Sequence, residues 1–513
     1  MYTKKEFLNF FTRLRARRGP SLLILVFTSI VAHICTRLDT WRYPMIGDDY
    51  LGIRVTQMPI RGGSFFENIW LVGGGKWRPI TTSLLMYLGS QWGYEYKNFQ
   101  VLNSILLIAV AVTTGIVALK ISSSMVLSVA ITTVVVSSQF TWMAQTSIYG
   151  SMELLSTLFV ICSASCALRT LQADENSARL AAYSTLFLFA ATLTHERYTI
   201  GSLVLAIFFL LQGQSKEAKK LAWLPVLIPL FYVVTRTFLL DLDPLAGGGE
   251  SSLRTKGGLW IAQHLSDSFE MLLGGHSGLG VYYTSNAIAL DSSRGDLGPW
   301  PVVGIALVVL FAGYLGQRHR HKHVEIPQAI SRRSTVFLLV LTFSSVIPAA
   351  TVFERIEGRW LFTPQILLLL AILSWTARVP GRRQLAISLI FPAISGALSL
   401  YYAPNSSHYL AYRDQPSRVV AMVEKVAPSM GPWVLVISQG DTSVPTEWQF
   451  GYGNVFEQLS NPPYLTSIAS GSSNGCPKLK QRVTCVVVRL NGLDSPETVM
   501  STMTLSTADS LRR

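Results

Sequence analysis

Charge is what this chain has least of. Only 14% of its 513 residues are Asp, Glu, Lys or Arg, while 50% are hydrophobic and the mean hydropathy is +0.37. A soluble domain carries about 25% charged residues. The deficit falls in apolar runs of membrane-spanning length, which excludes an ordinary soluble domain and makes lipid the solvent for most of the chain. Cysteine is also scarce. Of five, Cys35, Cys162 and Cys166 lie inside apolar runs and read as packed thiols. Cys476 and Cys485 lie in a polar stretch; they form a disulfide if that stretch is outside the cytoplasm and are otherwise two free thiols. A small-residue cleavage site is missing after the basic N-terminal stretch MYTKKEFLNFFTRLRARRG, so it reads as an uncleaved anchor. The glycine-rich stretches GGGK at Gly73 and AGGGES at Ala246 lack nucleotide-loop spacing and read as flexible loop elements.

What the chain does have is a series of apolar runs, at residues 20–36, 99–119, 125–142, 149–168, 180–194, 199–211, 221–239, 301–316, 334–353, 360–377 and 385–402. The expected fold is an all-α polytopic membrane protein of about 11 transmembrane helices, although 180–211 also reads as one re-entrant hairpin. The basicity sets its orientation. With the N-terminus in the cytoplasm, the cytoplasmic segments hold 20 cations and five acids, and the rest of the chain holds 23 cations and 24 acids. The formal charge of +14 is therefore a positive-inside signal, and nucleic acid is not needed to explain it.

This orientation gives a cytoplasmic N-terminus over 1–19, a membrane domain over 20–402 with long outer loops at 37–98 and 241–300, and an extracytoplasmic domain over 403–513. In that last segment 416–427 is helix-like, while PWVLVIS and RVTCVVVRL are strand-like, so a small α/β domain is expected.

The chemistry-bearing residues gather on the outer face. Asp48 and Asp49 follow the first span, where partial desolvation raises a carboxylate's basicity toward that of a general base. GDDY also reads as a solvated turn with a helix N-cap. Arg78 lies in the same loop, and His195, Glu196 and Arg197 join the fifth and sixth spans. Arg236 ends the seventh span, Arg355 and Arg359 lie in the junction before the tenth, and Glu153 sits just inside the fourth. Ionisable groups at such depths are costly and line cavities or pathways; singly, each also reads as a paired or snorkelling structural charge. Carboxylates converging with arginines suit an anionic phosphate substrate and a proton acceptor. The cytoplasmic tract from Arg318 to His323 alternates histidine with cations, which repel a metal ion, and a positive-inside loop suffices for it. No metal site is expected.

The order of these motifs resembles the GT-C superfamily of membrane glycosyltransferases, with the protein O-mannosyltransferase type and its tetratricopeptide-tailed relatives nearest. The likeness rests on Asp48-Asp49, WRPITTSLLMYLGSQWG with Arg78-Pro79, FQVLNSILLIAV from Phe99 to Asn103, SIYGSMELLSTLF with Glu153, LTHERYTIGSL with His195-Glu196, and ERIEGRWLFTPQ. It covers residues 20 to 400. Two departures stand out: the acidic pair is Asp-Asp rather than Asp-Glu, and the tail has no tetratricopeptide pattern.

The resemblance implies an inverting transferase that moves a sugar from a polyprenyl-phosphate carrier, its lipid tail in a groove between spans, to an acceptor hydroxyl on a glycan, lipid or protein. Asp48 would be the base, Asp49 would orient it or the acceptor, and Arg236, Arg355 and Arg359 would face the leaving phosphate. A divalent cation is used by some relatives and not by others. The implied location is a bacterial plasma membrane. A transporter or flippase for lipid-linked glycans is the alternative, and would carry repeated halves and spans broken near the midplane; a non-catalytic membrane partner protein is the third reading.

Overall fold

A computed structural model of the chain describes residues 4–37, 69–70, 72–73, 76–92, 95–171, 176–211, 216–242, 258–275, 281–283, 328–352, 355–376, 381–405, 433–439, 484–490 and 498–504. The first span is the C-terminal part of helix α1 (Lys4–Arg37). A short hairpin, β1 (Val72–Gly73) and β2 (Lys76–Trp77), leads into α2 (Pro79–Trp92). Next come α3 (Tyr96–Ser122), α4 (Met125–Ser137), α5 (Trp142–Thr146), α6 (Gly150–Thr170), α7 (Ser177–Thr194) and α8 (Thr199–Leu211). Helices α9 (Lys216–Lys220) and α10 (Leu227–Val234) follow, then α11 (Gly258–Leu272), strand β3 (Val281–Tyr283), α12 (Gln328–Val352), strand β4 (Arg355–Glu357), α13 (Phe362–Thr376) and α14 (Gly381–Asn405).

Five stretches are long and apolar enough to cross a membrane: Pro20–Arg37, Lys97–Ser122, Gly150–Thr170, Lys216–Leu239 and Gly358–Thr376. A sixth is added if the bent pair Met125–Ser137 and Gln139–Thr146 is one span. The expected number was 11. Of the remaining runs, 301–316 lies outside the described residues. Helices α7 and α8 have 18 and 13 residues, which rise about 27 and 20 Å against a hydrocarbon core of about 30 Å.

The helical body leaves large apolar side chains open and buries many polar ones beside its apolar core, unlike a soluble protein. Leu23, Phe27, Leu211 and Phe238 are 69–78% exposed, while Asn103, Thr114, Ser163 and Ser184 are fully buried. Lipid offers no partner to a hydroxyl or amide, so such groups must pair inside the bundle. Between α6 and α7 the Ser163 hydroxyl donates to the Ser184 carbonyl at 2.8 Å, and Ser184 returns the bond to the Ser163 carbonyl at 2.9 Å. Ala164, Ala167 and Ala181 keep that interface close.

Serines also make the turn from α3 to α4. Ser123 takes a left-handed φ of 55° and its amide caps Leu119 O. Ser124 then N-caps α4, accepting from the Leu127 amide.

The third expected span is broken. Helix α4 stops at Ser138 and the chain bends 45° into a 3-10 turn (Gln139–Thr141) and α5. The backbone groups freed by the break find partners. The Ser138 carbonyl accepts from the Arg37 guanidinium and from Thr141 Oγ1 at 2.7 Å, and the Gln139 amide donates to Ser399 Oγ at 3.3 Å. Arg37 ends the first span, so the break lies level with that span's end, not with its middle.

C-terminal to α14, strands β5 (Trp433–Gln439), β6 (Thr484–Leu490) and β7 (Thr498–Thr504) form one sheet, with β5 parallel and β7 antiparallel to β6. The two strand-like segments of the sequence carry β5 and β6. The helix-like segment 416–427 and Cys476 lie outside the described residues; Cys485 stands in β6 opposite Val434 and Met503.

Candidate functional site

The segment Trp77-Arg78-Pro79 is fixed before its arginine is used. Pro79 opens α2, where its missing N–H costs nothing. Trp77 is buried, stacks on Trp70 at 6.3 Å, packs against Tyr232 at 5.6 Å and donates its indole N–H to Ile69 O. Tyr232 Oη in turn donates to the Trp77 carbonyl at 3.1 Å. One turn into α2, Thr81 donates to the carbonyl of Thr194, the last residue of α7, at 2.7 Å.

These contacts bring Arg78 to Glu196, which it holds with two parallel bonds of 2.5 and 2.6 Å. A planar guanidinium fork matches a carboxylate in this way and a lysine would not.

Between α7 and α8 the chain leaves helix geometry at His195 (φ −150°, ψ 118°) and makes a 3-10 turn over Glu196–Tyr198. That turn buries Arg197. Its Nη2 donates to Glu153 Oε2 and to Tyr198 Oη, the latter at 2.6 Å. Glu153 lies in the first turn of α6, where the helix dipole favours a carboxylate. Tyr198 Oη meets Thr363 Oγ1 at 2.6 Å, and Thr363 meets Thr157 Oγ1 at 2.6 Å, so the pair is tied to α6 and α13.

His195 sits between the two pairs, its Nε2 3.6 Å from Glu153 Oε1 and its Nδ1 3.5 Å from Glu196 Oε2. The turn before α13 adds Arg359, bound to Glu357 at 2.6 Å through Nε. Arg236 lies in a π-helical turn (Thr235–Leu239), its guanidinium 5.6 Å from the Tyr232 ring centre.

Electrostatics bind these groups into one cluster. Burial lowers the Lys76 ammonium from its ordinary value, and the charge of Arg78 adds to this while Glu196 and Glu357 oppose it. Burial pushes Glu196 up, but the charge and hydrogen bonds of Arg78 outweigh it and hold the carboxyl below its ordinary value. Burial holds His195 well below 6.5, with Arg78, Arg197, Lys76 and Arg359 pushing the same way. His195 is therefore neutral at neutral pH, and its contacts with the glutamates are not ion pairs despite their distances.

Of the residues singled out in the sequence, Arg78, Glu153, His195, Glu196, Arg197 and Arg359 meet here, and Arg236 joins through Tyr232. Arg355 stands in β4 opposite Tyr283 of β3. Asp48 and Asp49 lie outside the described residues. Sequence reading passed over Lys76, taken as part of a glycine loop, and over Tyr232, Thr157 and Thr363. The signal for Lys76 was its place two residues before Arg78; the hydroxyls carry none, because they matter only through partners far along the chain.

Among the described residues no three His, Cys, Asp or Glu side chains are grouped to hold a metal ion. No family model, curated protein or solved structure matches the chain.

Proposed function

We propose that this protein is a GT-C-type glycosyltransferase that moves a sugar from a polyprenyl-phosphate carrier to an acceptor hydroxyl at the outer membrane boundary. The observation that carries the reading is a deeply buried arginine with donors to spare. Arg197 binds Glu153 and Tyr198 through Nη2 and keeps Nε and Nη1 buried with no hydrogen-bond partner among the described residues, while Lys76, Arg78 and Arg359 place further positive charge on the same cluster. Unmatched buried N–H groups are expensive unless an acceptor completes them, and a phosphate on a lipid supplies several acceptor oxygens.

In this reading Asp48 is the base that takes the acceptor proton and Asp49 orients it. The arginines stabilise the leaving phosphate, and the anomeric carbon inverts. The chain then has 11 spans, the helices too short by length alone being accommodated by re-entrant segments or by local thinning of the bilayer. Its C-terminus is outside as a small α/β domain, and the membrane is a bacterial plasma membrane.

The test incubates membranes holding the protein with labelled polyprenyl-phosphate sugars. Transfer should occur, and should fall at least about 100-fold in Asp48→Asn, the general-base contribution. Full-rate transfer in that variant removes Asp48 as base; no transfer from any such donor removes the transferase reading.

A transporter would need the break at Ser138 to lie near the midplane, where transport sites form; it lies level with Arg37 at the end of the first span, which favours the enzyme. Donor-independent movement of labelled polyprenyl phosphate across vesicles would support that second reading.

A further inference from the structure

We propose that His195 is a positioning residue: a neutral imidazole that carries its proton on Nε2, facing Glu153, and uses Nδ1 as an acceptor for the Arg197 amide, so that it sets the spacing of the two glutamate–arginine pairs. The inference rests on the reading of this cluster as an anion site, but it gives His195 a role other than touching the anion.

The tautomer follows from the contacts. Nδ1 accepts from the Arg197 N–H at 3.5 Å, as the N-cap of the 3-10 turn. A nitrogen that accepts cannot carry the proton, which leaves it on Nε2; Glu196 Oε2 also stands 3.5 Å from Nδ1, but both Glu196 oxygens are already taken by Arg78. Nε2 faces Glu153 Oε1 at 3.6 Å, and that oxygen has no hydrogen-bond partner among the described residues. Glu153 therefore offers Oε2 to Arg197 and Oε1 toward His195, while Glu196 holds Arg78 with both oxygens. The ring is 94% buried and lies edge-on to Tyr198 at 6.2 Å, so it has little freedom to turn.

Among the described residues, the charged groups around it are Lys76 of β2, Arg78 before α2, Glu153 of α6, Glu196 and Arg197 of its own turn, and Arg359 with Glu357 before α13. Helix α12, which also packs on this turn, has Arg332 and Arg333 as its only charges, near its other end. Adding a proton to Nδ1 puts a donor against the Arg197 N–H and a positive charge among four cations. The cap must then open and the arginines lose their spacing. The sign is fixed by the depressed value of the folded imidazole. Above 6.5 the arrangement is fully present; as pH falls further, the unfolded chain takes up a proton that the folded site resists, and the site weakens.

Two substitutions divide the roles of the ring. Asparagine places an amide oxygen where Nδ1 was and keeps the cap; glutamine reaches the place of Nε2 and keeps the donor toward Glu153. The experiment uses the full chain in lipid nanodiscs. Solid-state NMR of nitrogen-15 histidine at pH 6.5 should give one resonance pair, absent in His195→Asn, with Nε2 protonated and Nδ1 bare. A protonated Nδ1 overturns the proposal whether or not any ligand binds.

Binding of fluorescent undecaprenyl phosphate is then followed from pH 7.5 to 4.5. Wild type should lose affinity as the pH falls, His195→Asn should bind about fivefold more weakly at pH 7.5 with no such fall, and His195→Ala should lose more than either single-function variant. An acid-induced loss that persists unchanged in His195→Asn overturns the positioning role. If wild type binds no polyprenyl phosphate at any pH, the anion-site reading fails and the NMR result alone decides the tautomer and the cap.

Discussion

Arg197 shows why single residues in this site are easy to name and hard to pair. Its side chain is 4% exposed and that of Glu153 fully buried, so neither charge has water to fall back on. Removing the cation alone leaves a carboxylate stranded in low dielectric, which costs about 3–5 kcal/mol. Arg197→Met should therefore unfold in detergent at clearly lower denaturant than wild type. The double variant Glu153→Met, Arg197→Met should recover a large part of that loss, because the buried charge and its partner leave together. Additive losses would mean the two side chains do not form a pair. Glu153, Glu196, Arg197 and Arg78 were all legible as candidates, because charge near a membrane boundary is rare. Which acid takes which arginine was not: Arg78 and Glu196 are 118 residues apart, and Arg197 passes over its neighbour Glu196 for Glu153.

At the scale of the element, the helices were legible and their interruptions were not. Apolar runs of near-constant length predict helices wherever lipid is the solvent, and ten of the eleven runs fall on described helices. The break at Ser138 has no proline or glycine to announce it. It exists because Arg37, Gln365 and Ser399 reach it from three other helices, and tertiary partners of that kind leave no local mark. The tight passage from α5 to α6 is similar. Asn103 Nδ2 donates to the Ser147 and Gln145 carbonyls at 2.7 and 3.3 Å, drawing the turn in until a Cβ on Gly150 would lie 1.6 Å from the Ala144 carbonyl oxygen. Gly150→Ala must move backbone and should cost more than about 3 kcal/mol or prevent accumulation. Gly396→Ala, whose Cβ meets nothing nearer than 3.7 Å, should be neutral or stabilising by up to about 1 kcal/mol. Equal thermal midpoints for the two would refute the close approach.

Helix α11 carries a pH signature of its own. Burial, with Glu270 adding to it, pushes the Asp267 carboxyl up to about 6 from 3.8. The folded chain thus holds a proton that the unfolded chain releases, so this group's contribution falls as pH rises from about 4 to about 6 and stays low above that. Asp267→Asn should gain about 1–3 kcal/mol at pH 7.5 and nothing at pH 4. A gain of the same size at both values would place its cause elsewhere.

For the whole molecule, orientation rests on charge counted loop by loop, and the clustered site gives that orientation a sharp consequence. Residues from β2 and the position before α2, the start of α6, the turn between α7 and α8, and the turn before α13 share one cluster of buried charge. They must therefore stand on one side of the membrane, whichever side that is. The strand-like segments of the tail were legible as strands; that Trp77 and Arg78 fold back onto the bundle was not, because they find partners far along the chain in Tyr232 and Glu196. Single cysteines placed at Ser64 and Asp48 in a chain lacking its own five should react with an impermeant thiol reagent from the same face as one at Tyr94 or Ser251. Cysteines at Gln214 and Arg378 should react only after the membrane is opened, since the excess of Lys and Arg in those loops predicts the cytoplasmic side. Reactivity of Ser64 and Gln214 from one face would break the alternation between them. The +14 charge would then no longer report topology, whereas reactivity of Asp48 and Tyr94 from opposite faces would separate the acidic pair from Arg78 and Glu196.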